Sequence, residues 1–270
     1  MRPEHSRSMG RRATFGVEFD PIGFTDVLAR IEHAIEERRR LVIGYLNLHG
    51  AHLYQASPGF RQFIDTADIA YADGVPLMVW RRLLWSDCAS AQRFTLTHRM
   101  IEFMTLCRDR GWRVHYVGSD ARVLEDGMQA IRSNVPGIVL TGQHGFFSRD
   151  PDGSECEQVV AQINASHCEV VMVGMGMPVQ EQWIGAVADR LQAPVIWAVG
   201  GAIEYYSGHV AMAPAWVNGL GLEWAFRLAQ RPRRFAHRYL VEPFSLLPAA
   251  VADVRRRFAP PRTEGSVDGV

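Results

Sequence analysis

The chain contains no lysine: all 29 of its basic residues are arginine. That removes the phosphate-loop lysine, the pyridoxal Schiff base and the lysine general base from consideration. Cysteine is sparse too. Cys88, Cys107, Cys156 and Cys168 are scattered with no C-x-x-C pair, which argues against a zinc ribbon, a redox motif and a disulfide framework. No apolar run approaches the ~18 residues of a membrane span, and the opening MRPEHSRSMGRR lacks the apolar core of a secretion signal. The cytoplasm is the expected location.

Formal net charge is zero, yet the charges are segregated. Between Ala225 and Phe258 eight arginines face two acids, Glu242 and Asp253, a net of +6; Ala13 to Trp224 carries sixteen arginines against twenty-four acids, a net of −8. Such a split points to an anionic contact for the C-terminal segment and not for the body. A chain of 270 residues with 47% hydrophobic content suffices for one large α/β domain with an appendage. The expected segments are a disordered leader over 1–12, an α/β body over 13–221, a helical basic appendage over 222–258 and a disordered tail over 259–270.

Within the body, Cys168 to Ile184 reads CEVVMVGMGMPVQEQWI. Its β-branched run ends at Gly174 and Gly176 and passes into Pro178, Gln180, Glu181 and Trp183, the pattern of a buried strand, a tight turn and a helix start. Glycines let a ligand approach the backbone, free N–H groups at a helix start attract phosphate, and Gln180 and Glu181 come within reach of a nucleotide or sugar. A turn made for packing alone fits the same letters.

Similar units recur along the chain. Leu41 to Leu46 reads as a strand delivering Asn47, and Ile69 to Tyr71 as another, leading to Asp73 before a Gly/Pro turn. Trp112 to Val117, Ile138 to Thr141 and Val195 to Val199 are further strands, with helical patterns such as Phe24 to Arg40 and Ala121 to Asn134 between them. Strand, glycine turn, helix and strand make a βαβ unit, so the fold class is α/β, with an open, mainly parallel Rossmann-like sheet flanked by helices. Its strand C-termini share one edge, where Asn47, Asp73, Gln180 and Glu204 can converge on one crevice.

Asp73 fits either a turn or cap residue or a general base at the rim of that crevice. His49 and His52 stand at i, i+3 without a third ligand, which favours a structural role. Asp150-Pro151-Asp152 matches a D-x-D metal clamp but sits in a turn cluster, and no metal or other cofactor is expected. After Leu222 the chain interleaves Trp224, Phe226, Phe235 and Tyr239 with arginines, and Pro232 divides it into two short helices. Such a segment suits a packed helix, an interfacial membrane contact or a diphosphate clamp; it is a poor footprint for nucleic acid.

The ordered motifs resemble the WecG/TagA/CpsF family of inverting glycosyltransferases: Asn47, ADG at 72–74, VGSD at 117–120, VGMGMPVQEQWI at 173–184, VGGAIEYYSG at 199–208, APAW at 213–216 and GLEWAFRLAQRPRRFAHRYL at 221–240. The resemblance covers roughly residues 41–244. It implies transfer of a sugar from a UDP-sugar donor to a polyprenyl-diphosphate-linked acceptor in bacterial cell-surface polysaccharide or teichoic acid synthesis, without metal, at the inner face of the cytoplasmic membrane. A homo-oligomer is among the expected partners, and nucleic acid, from the charge footprint, is not. Carried over by position, Asp73 is the general base, and Asn47, Arg93, Gln180 and Glu181 belong to the pocket; Gly176, from the glycine turn, and Glu204, from the strand-end reading, complete the expected substrate-binding set. Arg227 and Arg234 come from the appendage. The chain departs from the family pattern at Tyr45, Leu96, His98, Ile203-Glu204 and Met212. Two other readings are a noncatalytic scaffold in polysaccharide assembly and a nicotinamide-dependent oxidoreductase; against the latter, G-M-G-M-P-V lacks the G-x-G-x-x-G spacing.

Overall fold

A computed structural model of the chain describes residues 12–85, 94–214, 216–217 and 220–258. The expected leader up to residue 11, Arg93 and the expected tail lie outside the described residues, as does the side chain of Arg234. Arg12, assigned to the leader by its charge, instead opens a strand.

Six strands form one parallel sheet: β3 (Leu41–Leu46), β4 (Ile69–Ala72), β5 (Val114–Gly118), β6 (Leu140–Gln143), β7 (Val170–Gly174) and β8 (Val195–Ala198). Their order is β4-β3-β8-β7-β5-β6, and every neighbouring pair is parallel. β4, β5, β7 and β8 are buried along their whole length, which is why β4, β7 and β8 read as continuous apolar runs and not alternating ones; β5 is interrupted by the buried His115. Helices cover both faces. On one side α2 (Leu48–Ala56), α3 (Pro58–Thr66), α7 (Ser154–Ala165) and α8 (Val179–Val187) pack through Phe60, Val160 and Ile184. On the other, α1 (Phe24–Glu36), α5 (Leu96–Arg110), α6 (Ala121–Asn134) and α9 (Ala202–Tyr206) pack around Phe103, Ile131 and the fully buried Trp197.

Local chemistry sets the boundaries. Asn47, Ser57 and Asp120 cap α2, α3 and α6 by accepting from backbone N–H groups two or three residues on. Gly111, at φ +69°, ends α5, and the next backbone N–H, that of Trp112, returns to the Cys107 carbonyl. That pairing keeps Trp112 out of the strand it was expected to begin.

Ahead of the sheet, β1 (Arg12–Thr14) and β2 (Val17–Phe19) form an antiparallel hairpin whose two turn residues, Phe15 and Gly16, both have positive φ, as a type I′ turn demands. α4 (Val75–Leu84) follows Asp73 and Gly74. Beyond Gly221 the chain leaves the sheet for α10 (Glu223–Gln230), α11 (Pro232–Leu240), α12 (Glu242–Ser245) and α13 (Leu247–Phe258). Pro232 sits at the start of α11 and makes the expected break. Among the described residues, twelve of the sixteen exposed large apolar side chains lie between Met212 and Phe258, so the two parts of the chain differ in what they leave open to solvent.

Candidate active site

Parallel pairing sets Leu46 opposite Ala72, so Asn47 and Asp73 emerge side by side from β3 and β4. The Asp73 N–H donates to the Leu46 carbonyl at 2.8 Å. Gly74 permits this closeness: a Cβ there would lie 3.2 Å from the Asn47 Cβ and 3.3 Å from its Cα. Asn47 Oδ1 accepts from the Gly50 N–H at 3.1 Å as the cap of α2, and also from the Arg238 guanidinium at 3.4 Å.

The ends of β7 and β8 form the opposite wall. Gly174 abuts the Tyr116 hydroxyl and the Gly200 carbonyl too closely for any side chain, and Gly176 adopts φ +81° facing open space. Gln180 ties these turns together. Its Oε1 accepts from the Gly176 N–H at 3.2 Å and the Gly200 N–H at 3.0 Å, while its Nε2 donates to Glu181 Oε1 at 2.7 Å. Both side chains are fully buried. Burial pushes the Glu181 carboxyl up to about 7, against the opposing hydrogen bond from Gln180.

The sequence pattern predicts Gln180 and Glu181 in contact with ligand and free N–H groups near Gly176. The structure corrects both: the two side chains lie beneath the floor of the site, and the Gly176 N–H is spent on Gln180. A single amide that serves two strand ends has no room to face outward as well.

Two clefts, of about 360 and 110 Å³, open above these strand ends. The larger is lined by apolar surface from Leu48, Val75, Pro76, Trp224, Tyr239 and Pro243. The smaller runs over the glycine turns and includes Tyr45, Gly176, Gly200, Glu204 and Tyr205. Four residues line both: Asn47 and Asp73 from the sheet, and Arg227 and Arg238 from the appendage. Asp73 thus stands where the clefts meet.

The appendage arginines differ in their partners. Arg227 pairs with Glu223 and lies 5.2 Å from the centre of the Tyr205 ring; burial opposes its charge, but Tyr205, Glu223, Tyr239 and Asp73 together hold it above its usual range. Arg231 reaches Glu204 at 3.6 Å. Tyr45 stays a neutral hydroxyl, its pKa raised by burial and by Glu181 and Asp73. Its hydroxyl lies against Gly200, so Tyr45, one of the departures from the family pattern, presents a hydroxyl group in the smaller cleft.

His49 and His52 are fastened to the appendage. His49 Nδ1 meets Glu242 Oε2 at 2.5 Å, and His52 Nδ1 meets Ser245 Oγ at 2.7 Å. Burial and the Arg238 charge lower the His49 pKa. The Asp150 carboxylate accepts from the Asp152 N–H at 3.2 Å within its own turn. Among the described residues no three His, Cys, Asp or Glu side chains are grouped as metal ligands.

Arg238 and Arg231 are site residues that motif reading passes over. A signal existed: Arg227, Arg231, Arg234 and Arg238 are spaced 4, 3 and 4 apart, the period of one helical face. The Pro232 break hid it.

A parallel doubly wound sheet with glycine turns and a carboxylate at its C-terminal edge defines an α/β group-transfer enzyme of the nucleotide-binding architecture. Residues 12–259 match the model of the glycosyl transferase WecG/TagA/CpsF family, and the chain belongs to that family of glycosyltransferases. Over 229 residues, 84% of this chain and 87% of the relative, it is 24% identical to the N-acetylglucosaminyldiphosphoundecaprenol N-acetyl-beta-D-mannosaminyltransferase of Staphylococcus aureus strain NCTC 8325 / PS 47. The proteins of the same name from strains COL and MSSA476 are similar to the same extent.

Proposed function

We propose that this glycosyltransferase moves a hexosyl or N-acetylhexosaminyl group, with inversion and without a metal, from a UDP-sugar to a polyprenyl-diphosphate-linked acceptor sugar. The observation that carries the reading is the position of Asp73 at the junction of a polar glycine-walled cleft and an apolar one. In this reading the donor occupies the smaller cleft and the lipid-linked acceptor enters by the larger. The acceptor hydroxyl oxygen attacks the anomeric carbon, the bond from that carbon to the diphosphate oxygen breaks, Asp73 takes the hydroxyl proton, and UDP departs. Attack opposite the leaving group inverts the anomeric centre.

The names of the staphylococcal relatives, which specify an undecaprenol-diphosphate acceptor, support the acceptor class. At about 110 Å³ the smaller cleft is tighter than the several hundred Å³ that small-molecule sites usually offer. Its roof is Arg227, Arg231, Phe235 and Arg238, so a donor enters as the appendage lifts. Asn47 Nδ2 and the Tyr45 hydroxyl are donors for the bound sugar, with Gly176 giving backbone access; Glu204 and Arg234 belong to the same proposed site, as does Arg93.

The exposed Phe244, Leu247 and Phe258, together with Arg255 and Arg257, suit a surface that rests on anionic lipid headgroups. No described helix is long and apolar enough to cross a membrane. The protein then works at the inner face of the cytoplasmic membrane, in the synthesis of a cell-surface polysaccharide, with the body (13–221) and appendage (222–258) as its two functional parts.

The test is a panel of UDP-sugars with a short polyprenyl-diphosphate-sugar acceptor, scored for UDP release with and without EDTA. Acceptor-dependent release that survives EDTA is expected. Binding of protein partners with no turnover of any sugar nucleotide favours a scaffold instead.

A further inference from the structure

The proposed reaction, on which this inference rests, leaves the donor open between a hexosyl and an N-acetylhexosaminyl group. The floor of the smaller cleft bears on that choice. The attacking oxygen must come within about 3–3.5 Å of the anomeric carbon while Asp73 takes its proton, so the donor ring lies beside the Asp73 carboxylate. Parallel pairing sets Tyr45 opposite Tyr71, which places Tyr45 behind Asn47 on one face of β3 as Tyr71 stands behind Asp73 on β4. Tyr71 is buried, whereas Tyr45 lines the cleft with its hydroxyl against Gly200. The phenol is therefore the stretch of floor that runs from Asp73 toward the Gly200 turn.

That phenol has nowhere to retreat. Its ring centre lies 6.2 Å from that of Tyr71, which is stacked in turn on Phe94 at 4.1 Å. At the other end even a Cβ on Gly200 would come within 2.5 Å of the hydroxyl. The Gly200 turn is itself pinned: its N–H donates to Gln180 Oε1 at 3.0 Å, and its carbonyl accepts from the Tyr116 hydroxyl at 3.1 Å. A lifted appendage opens the cleft from above and leaves this floor where it is. The Tyr45 hydroxyl makes no hydrogen bond among the described residues, and burial together with the Glu181 and Asp73 carboxylates keeps it protonated.

We infer that Tyr45 selects the donor sugar: it admits a hexosyl group, one hydroxyl of which bonds the phenol, and excludes the bulkier N-acetylhexosaminyl group. A wall packed on both sides rejects added volume because accommodating it strains every neighbour. A phenol without a protein partner gains most from a ligand hydroxyl that completes it. The choice separates this chain from the staphylococcal relatives, whose names specify an N-acetylmannosaminyl donor group.

The experiment measures kcat/KM of wild type, Tyr45→Thr and Tyr45→Phe for UDP-glucose, UDP-galactose, UDP-N-acetylglucosamine and UDP-N-acetylmannosamine, with one short polyprenyl-diphosphate-sugar acceptor. Wild type is expected to use a hexosyl donor about tenfold to a hundredfold better than either N-acetylated one. Tyr45→Thr removes the ring, and its kcat/KM for an N-acetylated donor rises about tenfold above wild type, a gain that mere destabilisation does not give. Tyr45→Phe keeps the wall: it loses about fivefold to tenfold on the hexosyl donor and gains nothing on the others. A wild type that prefers an N-acetylated donor overturns the assignment, as does a folded Tyr45→Thr with no such gain. If the threonine variant does not fold, an unchanged hexosyl kcat/KM in Tyr45→Phe overturns it. A wild type that releases UDP from none of the donors overturns the transferase reading itself, a result distinct from an inverted preference.

Discussion

The sheet and the appendage meet at one site but are stabilised differently. The sheet is closed on both faces by apolar packing, and the side chains of Gln180, Glu181 and Trp197 are buried within it. The appendage leaves Trp224, Leu240, Phe244 and Leu247 open, and is held by a few polar contacts plus the buried Leu246 and Ala250. Its two acids among eight arginines both face the body. Glu242 bonds His49, and Asp253 accepts from the Phe15 N–H at 2.5 Å and the Trp80 Nε1–H at 3.2 Å. A packed floor fixes Asp73 and the glycine turns, while the roof is held to it by these polar clasps.

Substitutions that act on one part alone sharpen this contrast. The largest effect belongs to the exposed face: Phe244→Ser, Leu247→Ser and Phe258→Ser together remove roughly 2 kcal/mol of burial each on a bilayer. Liposome flotation is expected to fall about ten-thousandfold in partition, with turnover of a short-chain acceptor in solution retained. Equal flotation would detach the membrane from this surface.

Next is the floor. Gln180→Ala leaves the Gly176 and Gly200 amides without their acceptor, at about 1–3 kcal/mol for each. Urea unfolding should show that loss; an unchanged midpoint would mean that the turns hold themselves.

The pH slopes of the two parts run in opposite directions. Glu181, raised to about 7 from 4.5, destabilises the fold as pH rises through that window, because the unfolded chain ionises it first. Glu181→Gln therefore flattens the slope and adds on the order of 3 kcal/mol above pH 7. The clasp behaves in reverse. Glu242 is lowered, as its hydrogen bond to His49 and the nearby histidine charges outweigh burial, so its contribution is present above its usual range and lost as pH falls toward the depressed value. His49 is lowered too, chiefly by burial, and adds a loss in the same direction as pH drops below its usual 6.5. The smallest effect is Glu242→Gln: about tenfold faster hydrogen exchange in α12, with the sheet unaffected.

Much of the fold is legible in the sequence. Continuous apolar runs ending at Asn47, Asp73, Gly174 and Gly200 give the strands and their functional edge, because burial on both faces permits no alternation. The helix break at Pro232 is local, and the missing N–H of proline is enough to show it. Pairwise, distant contacts are not legible. Gln180 spans Gly176 and Gly200 only because β7 lies beside β8, and no spacing in the chain shows that adjacency. His49 and His52 find partners 193 residues away. That Arg227 and Arg231 each meet a carboxylate depends on where Glu223 and Glu204 fold, not on the motif.

The central claim is that proton removal occurs at the junction of floor and roof, at Asp73. Transfer by Asp73→Asn, measured as acceptor-dependent UDP release with UDP affinity and melting temperature as controls, tests it most directly. The expected result is a rate lower by about a hundredfold to ten-thousandfold with both controls unchanged. Near wild-type turnover from that variant would contradict the account.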